Sequence, residues 1–97
     1  MEYCVGTLTL RIRVEHSRSL KDKRRVLRSL RDRLRRRHNL AVAEVGGQNS
    51  WRSSVVASAT VAGSAAGARR VLEAAHDEAV RVLGRDLIDA DLDILAL

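Results

Sequence analysis

The sequence contains no proline and no phenylalanine, and only one cysteine, one tryptophan and one tyrosine among its 97 residues. Because proline is absent, nothing in the chain predicts a stiff linker or a cis-peptide switch. A single cysteine, Cys4, excludes an internal disulfide and cannot hold a zinc ion alone. With so few aromatic rings, we expect a core of small aliphatic side chains and no aromatic platform for a ligand.

Several kinds of functional segment are also missing. No apolar run reaches the roughly 18 residues needed to cross a bilayer, and the N-terminus lacks the basic-then-apolar pattern of a signal peptide. We therefore expect a cytoplasmic protein that does not use a membrane. The three histidines have no metal-ligand spacing, and no Walker loop, dinucleotide fingerprint or catalytic triad is present. The sequence predicts neither a metal nor a cofactor.

Hydrophobic periodicity predicts the order of the elements. Strict alternation from Tyr3 to Val14 predicts a strand. From Leu20 the apolar spacing changes to a helical stripe, with Ser17 or Ser19 as the N-cap and an end at His38. The sequence then predicts strands at Leu40–Val45, Ser54–Ala62 and Leu87–Leu97. A second helix, from Ser64 to Gly84, lies between the last two strands. The expected inward residues of the last two strands are Val55, Ala57, Ala59 and Val61, then Ile88, Ala90, Leu92 and Ile94.

This order is the split βαβ arrangement of ferredoxin-like α+β domains. A chain of this length buries one core, so residues 1–97 are predicted to form a single domain. Right-handed crossovers place both helices on one face of a four-stranded antiparallel sheet. The hairpin at Gly46 to Ser53 then lies at the same end of the sheet as the start of the first helix.

Positive charge is concentrated in the first helix. Residues Arg18 to His38 hold eleven Arg and Lys against two Asp, so this segment carries +9 and the rest of the chain −3. An "arginine row" runs along one flank of the helix's apolar sector for about three turns, or ~16 Å. It consists of Arg24, Arg28, Arg31 and Arg35. Lys21, Lys23 and Arg18 extend this basic surface toward the hairpin.

Three interpretations of the arginine row are open: a surface for nucleic acid, most plausibly RNA; a solvated face; or a surface for an acidic protein. Two Asp neutralise few of eleven cations, and like charges at i,i+4 repel, which favours a phosphate partner. Arg11 and Arg13, by contrast, are expected to pair with Asp89 and its neighbours across the sheet.

Two residues at the hairpin end have alternative interpretations. Lys23 falls in the centre of the helix's apolar sector, so its ammonium either extends outward past the sheet end or points toward the hairpin. Trp51 either covers the end of the core or offers its ring to a base or a partner. With Gln48, it is a candidate contact to a nucleobase.

The run "SRSLKDKRRVLRSLRDRL", followed by "NLAVAEV" and by Gln48 and Trp51, resembles the YlxP-like family of small uncharacterised bacterial proteins. The resemblance extends over essentially the whole chain. It implies a ferredoxin-like fold and a gene often placed beside those of a translation initiation factor and a ribosome-binding factor. It implies no activity. This chain departs from the family pattern at the hairpin, where Gly46 and Gly47 stand in place of charged or polar residues.

An acylphosphatase-like enzyme is the catalytic alternative, because that class shares small basic ferredoxin-like domains. Its chemistry needs a glycine-rich loop around a phosphate, and the corresponding loop, "VEHSRS", has no glycine. We therefore expect a non-catalytic domain that binds RNA or the ribosome. The alternative is a protein-interaction or dimerising module that uses the edges at Leu40–Val45 and Leu87–Leu97, or the open sheet face with Val5, Val56 and Leu95.

Overall fold

The computed structural model describes residues 2–97. It has the ferredoxin-like α+β fold that the sequence predicts, with one antiparallel sheet in the order β2-β3-β1-β4. The elements are β1 (Cys4–Arg13), α1 (Leu20–Arg37), β2 (Ala41–Gly46), β3 (Ser53–Ala62), α2 (Ala65–Leu83), a 3-10 turn (Gly84–Asp86) and β4 (Leu87–Ala96). Within residues 2–97, neither helix is long and apolar enough to span a membrane.

Local side-chain chemistry sets the helix ends. Ser19 is the N-cap of α1, since its Oγ accepts a hydrogen bond from the Asp22 amide at 3.1 Å, as such caps do. Ser17 is buried instead, and its hydroxyl donates to the Ser19 carbonyl. Gly84 ends α2 with φ of 55°, a conformation that favours glycine.

The core lies between the sheet and the two helices. It is aliphatic, as the shortage of rings predicts, and Cys4 is buried at its edge. A Cβ on Gly6 of β1 would lie 2.7 Å from Leu72 Cδ1, so glycine lets α2 approach β1 closely. The main buried side chains of this core are Leu8, Leu10, Ile12, Leu27, Leu30, Leu34, Val56, Leu72, Ala75, Ala79 and Leu83.

The predicted inward face of β3 is wrong. The buried residues are Ser54, Val56, Ser58 and Thr60, whereas Val55, Ala57, Ala59 and Val61 lie on the open face. Pairing with β1 fixes this register, and two of the buried hydroxyls have partners. Ser58 donates to the Leu8 carbonyl at 3.1 Å and Ser54 to Glu44 Oε2 at 2.6 Å, which offsets the cost of burying them.

Two predictions about the β1–β4 pair need correction. The register shifts after the pair Arg11–Asp89, so Ile88 becomes an extra residue and is exposed rather than inward. Arg11 does meet Asp89, at 4.0 Å, but Arg13 pairs with Glu15 at 2.7 Å instead of with a carboxylate of β4. Both pairs are solvent-exposed, so each contributes little to stability.

Candidate nucleic-acid interface

The cations of α1 differ in their partners, and a first group lies beside a buried carboxylate of α2. Arg33 and Arg37 of α1, with Arg81 of α2, lie 3.5–4.0 Å from the carboxylate oxygens of Glu78. Glu78 belongs to α2 and its side chain is only 2% exposed; the ring of His38 also lies 3.8 Å from it. Glu78 and the three arginines are here called the Glu78 cluster. Its ion pairs link α1 to α2. Sequence periodicity did not indicate this cluster, because it depends on how α1 and α2 cross.

The second group has no such partner. Among residues 2–97, no carboxylate oxygen lies within 4.0 Å of the guanidinium groups of Arg24, Arg28 or Arg31. Asp32 forms no ion pair among residues 2–97. The Asp22 carboxylate accepts a hydrogen bond from the Arg18 backbone amide, and the Asp22 amide donates to Ser19 Oγ at the helix cap. The remaining unpaired cations of this surface are Arg18, Lys21, Arg25 and Arg36.

The fourth arginine of the row has a structural contact. Arg35 Nη2 donates a hydrogen bond of 2.9 Å to the carbonyl of Val42 in β2. Since β2 is an edge strand of the sheet, this bond covers part of an exposed edge. Arg35 is still a surface residue, and its contact with phosphate stays a prediction.

The first three arginines line a groove between α1 and β2. This α1–β2 groove has a volume of about 220 Å³, and its charged wall consists of Arg24, Arg28, Arg31 and Glu44. Its floor is apolar and is made by Leu27, Val42 and Val56. The Nε atom of Arg31 is inaccessible to solvent and finds no acceptor among residues 2–97.

Lys23 lies behind this wall and is fully buried, with 0% of its side chain exposed. Its ammonium donates to the carbonyls of Gly47 and Ser53, at 2.6 and 3.2 Å, and lies 3.0 Å from Glu44 Oε2. The alternative in which Lys23 points toward the hairpin is therefore confirmed. Its proposed role in the exposed basic surface is wrong, because all three donors are directed into the protein.

The hairpin is attached to the start of α1 by further bonds. Arg52 Nε donates to the Ser17 carbonyl at 3.1 Å, and the Arg52 carbonyl accepts from the Val14 amide. Trp51 is 58% exposed, so its ring is accessible. Gln48 is also exposed. The structure thus leaves both candidate base contacts at the surface near α1.

No group of three or more His, Cys, Asp or Glu side chains within residues 2–97 is arranged to hold a metal ion. The site is defined by cations, one oriented carboxylate and an apolar floor. Such a surface can bind an anionic polymer through arginine contacts to phosphate. The α1–β2 groove is also concave and can accommodate one planar ring.

These features define a class: a small ferredoxin-like domain whose first helix is basic, lies beside a sheet edge and has several arginines without an ion-pair partner within residues 2–97. The chain belongs to the DUF503 family, described as a protein of unknown function, whose model matches residues 5–91. No curated protein sequence matches it significantly.

Several solved structures share the fold at low identity. A dimeric ferredoxin-like protein of unknown function from Thermobifida fusca is 16% identical, with a TM-score of 0.52 and coverage of 98% of this chain and 92% of that one. A mutant of SnoaB, a cofactor-independent oxygenase from Streptomyces nogalater, is 15% identical, with a TM-score of 0.55 and coverage of 94% and 90%. The de novo designed protein Foldit4 is 11% identical, with a TM-score of 0.53 and coverage of 98% and 96%.

Proposed function

We propose that this chain is a non-catalytic domain that binds RNA, on the ribosome or in a translation complex, through α1 and the adjoining hairpin. The observation that carries the proposal is the contrast within one helix. Arg33 and Arg37 lie beside a buried carboxylate, whereas within residues 2–97 no carboxylate oxygen lies within 4.0 Å of the guanidinium groups of Arg24, Arg28 and Arg31.

Electrostatics supports a polyanion as the partner. Arg24, Arg28 and Arg31 follow one another at steps of four and three, where like charges destabilise an isolated helix by a few tenths of a kcal/mol per pair. A phosphate backbone removes that repulsion, and guanidinium groups bind phosphate through two parallel hydrogen bonds. Contacts to phosphate orient a protein on its partner without reading sequence, so we expect low sequence specificity from this row.

Two further points support RNA in particular. The exposed Trp51 and Gln48 belong to the hairpin that Lys23 and Arg52 bond to the start of α1. They suit unpaired bases, which stack on aromatic rings in single-stranded RNA. The resemblance of the α1 sequence to YlxP-like proteins implies genes placed beside those of translation and ribosome-binding factors. Both points favour a role at the ribosome over binding to duplex DNA.

Binding measured against salt concentration tests this function. For a single-stranded RNA 12-mer, each phosphate contact contributes about −0.7 to the slope of log K against log salt. The native chain is expected to show a slope of about −2 or steeper. The variant Arg24→Gln/Arg28→Gln/Arg31→Gln should lose about 2 units of that slope, because it loses three contacts.

The matched control removes the same charge elsewhere. Arg69, Arg70 and Arg85 are exposed, lie outside α1 and form no ion pair within residues 2–97. Replacing these three by Gln should leave the slope within about half a unit of native, since none of them is expected to touch phosphate. If both triple variants flatten the salt slope equally, net charge alone explains the change and the proposed site is refuted.

A second candidate function is a dimerising module, favoured by an apolar patch on the open sheet face. Val61 and Leu95 are each 60% exposed, and both pair with Val5 of β1. Val56, which the sequence assigned to this face, is instead buried in the core. A contact through the open face would leave the arginine row free, so the two functions are compatible.

A further inference from the structure

The α1–β2 groove has an apolar floor and a carboxylate in addition to its arginines. We propose that it receives one unpaired base of the bound RNA. Glu44 selects cytosine by accepting a hydrogen bond from the N4 amino group of that base. This inference rests on the proposed RNA binding and adds a base preference to it. The base site is distinct from the exposed hairpin, because Glu44 belongs to β2 and lines the groove with Arg24, Arg28 and Arg31.

Glu44 is held in a fixed orientation by its neighbours. The Ser54 hydroxyl donates to Oε2 at 2.6 Å, and the Lys23 ammonium lies 3.0 Å from the same oxygen. The other oxygen, Oε1, has no hydrogen-bond donor among residues 2–97. Since the side chain is 22% exposed and lines the groove, Glu44 offers an oriented acceptor rather than a freely rotating surface carboxylate.

The shape of the groove fits a single ring. Its volume of about 220 Å³ is below the ~300–1,000 Å³ of pockets that enclose drug-sized ligands. The floor of Leu27, Val42 and Val56 gives an apolar surface for the face of a base. Arg24 and Arg28, at the rim of the same groove and on the adjoining surface of α1, are placed for the phosphates on either side.

Hydrogen-bond chemistry favours cytosine over uracil in this position. A carboxylate accepts well from cytosine N4, which is a donor at the edge of the ring. Uracil has a carbonyl oxygen there, and its N3–H donor lies between two carbonyl oxygens whose lone pairs repel a carboxylate. A buried or oriented acceptor left without its donor costs binding energy, so uracil should bind less tightly than cytosine.

The test compares labelled 12-mers of cytidine and of uridine at one neutral pH and one salt concentration. The native chain should bind the cytidine 12-mer about tenfold more tightly or better, the effect of one hydrogen bond to a charged group. A third 12-mer, in which hydrogen replaces each N4 amino group, should bind like the uridine oligomer. This third probe uses the native protein, so it does not depend on the folding of any variant.

Glu44→Gln supplies the protein-side test. The Gln carbonyl can still accept from Lys23 and Ser54, and its amide then directs a donor into the groove. The preference for cytidine should disappear or reverse, while the slope against salt stays unchanged. Equal native affinity for the cytidine and uridine oligomers, or a preference that persists in Glu44→Gln, overturns the base site.

Failure of the base site and failure of RNA binding give different results. If both oligomers bind equally and the Arg24/Arg28/Arg31 triple variant weakens both, RNA binding stands and only the base preference is rejected. If neither oligomer binds more tightly to native protein than to that triple variant, the proposed function itself is refuted.

Discussion

Lys23→Met is expected to lower the free energy of unfolding by about 3–5 kcal/mol, the usual cost of removing one member of a buried charge pair. Methionine fills similar space but donates nothing. The carbonyls of Gly47 and Ser53 would lose their bonds, and Glu44 would keep its charge without the ammonium 3.0 Å away. The loss should be large because Lys23 is completely shielded from solvent.

Urea unfolding followed by circular dichroism measures this effect. Lys21→Met is the matched control, since Lys21 is exposed, lies two residues earlier in α1 and has no ion-pair partner within residues 2–97. Its stability should stay within about 0.5 kcal/mol of native. A loss below about 1 kcal/mol for Lys23→Met would mean that the buried ammonium does not hold the hairpin to α1.

The Glu78 cluster predicts a second large effect on the free energy of unfolding. The losses caused by replacing its arginines one at a time should add up to much less than the loss caused by replacing all three. Replacing Arg33, Arg37 and Arg81 together by Gln should cost about 3 kcal/mol, because it leaves a 2%-exposed carboxylate without a guanidinium group beside it. Each single replacement should cost about 0.5 kcal/mol or less, so that the three together account for no more than half of the triple loss, since two guanidinium groups remain and all three are largely solvent-exposed.

The same unfolding assay distinguishes this coupling from a general effect of lost charge. The triple variant Arg69→Gln/Arg70→Gln/Arg85→Gln changes the net charge equally, and its stability should remain within about 0.5 kcal/mol of native. If the three single losses at Arg33, Arg37 and Arg81 add up to the triple loss, the arginines do not share one carboxylate and the cluster has been misinterpreted.

The sequence predicted the elements well where one periodicity dominates. In α1, the stripe of Leu27, Leu30 and Leu34 is buried as expected, because a single helical face holds all the large apolar residues. In β3, small apolar and hydroxyl residues alternate, so either face could be inward. Pairing with β1 and the bond from Ser58 to the Leu8 carbonyl decide between them, and neither can be read from one strand.

The candidate site was predictable in part for the same reason. The positions of Arg24, Arg28 and Arg31 follow from helical geometry, and the structure keeps them exposed or at the rim of a groove. The partners of Lys23 and Glu78 come from distant parts of the chain. The charge pattern along α1 alone therefore could not distinguish the arginines that lie beside Glu78 from those without an ion-pair partner within residues 2–97.

The fold by itself does not decide the function. Similar folds occur in an oxygenase and in a designed protein, and a fold commonly supports unrelated activities. The functional argument depends on particular side chains: three arginines without an ion-pair partner in residues 2–97, an oriented Glu44 and an accessible Trp51.

The most direct measurement is nuclear magnetic resonance of the ¹⁵N-labelled chain during titration with a single-stranded RNA 12-mer. If α1 carries the contact, the side-chain Nε–H signals of Arg24, Arg28 and Arg31 and the amide of Glu44 should shift with increasing RNA. Signals from Arg69 and Arg70 on α2 should stay in place. Shifts centred instead on Val61 and Leu95 of the open sheet face, or equal shifts over both helices, would contradict the account.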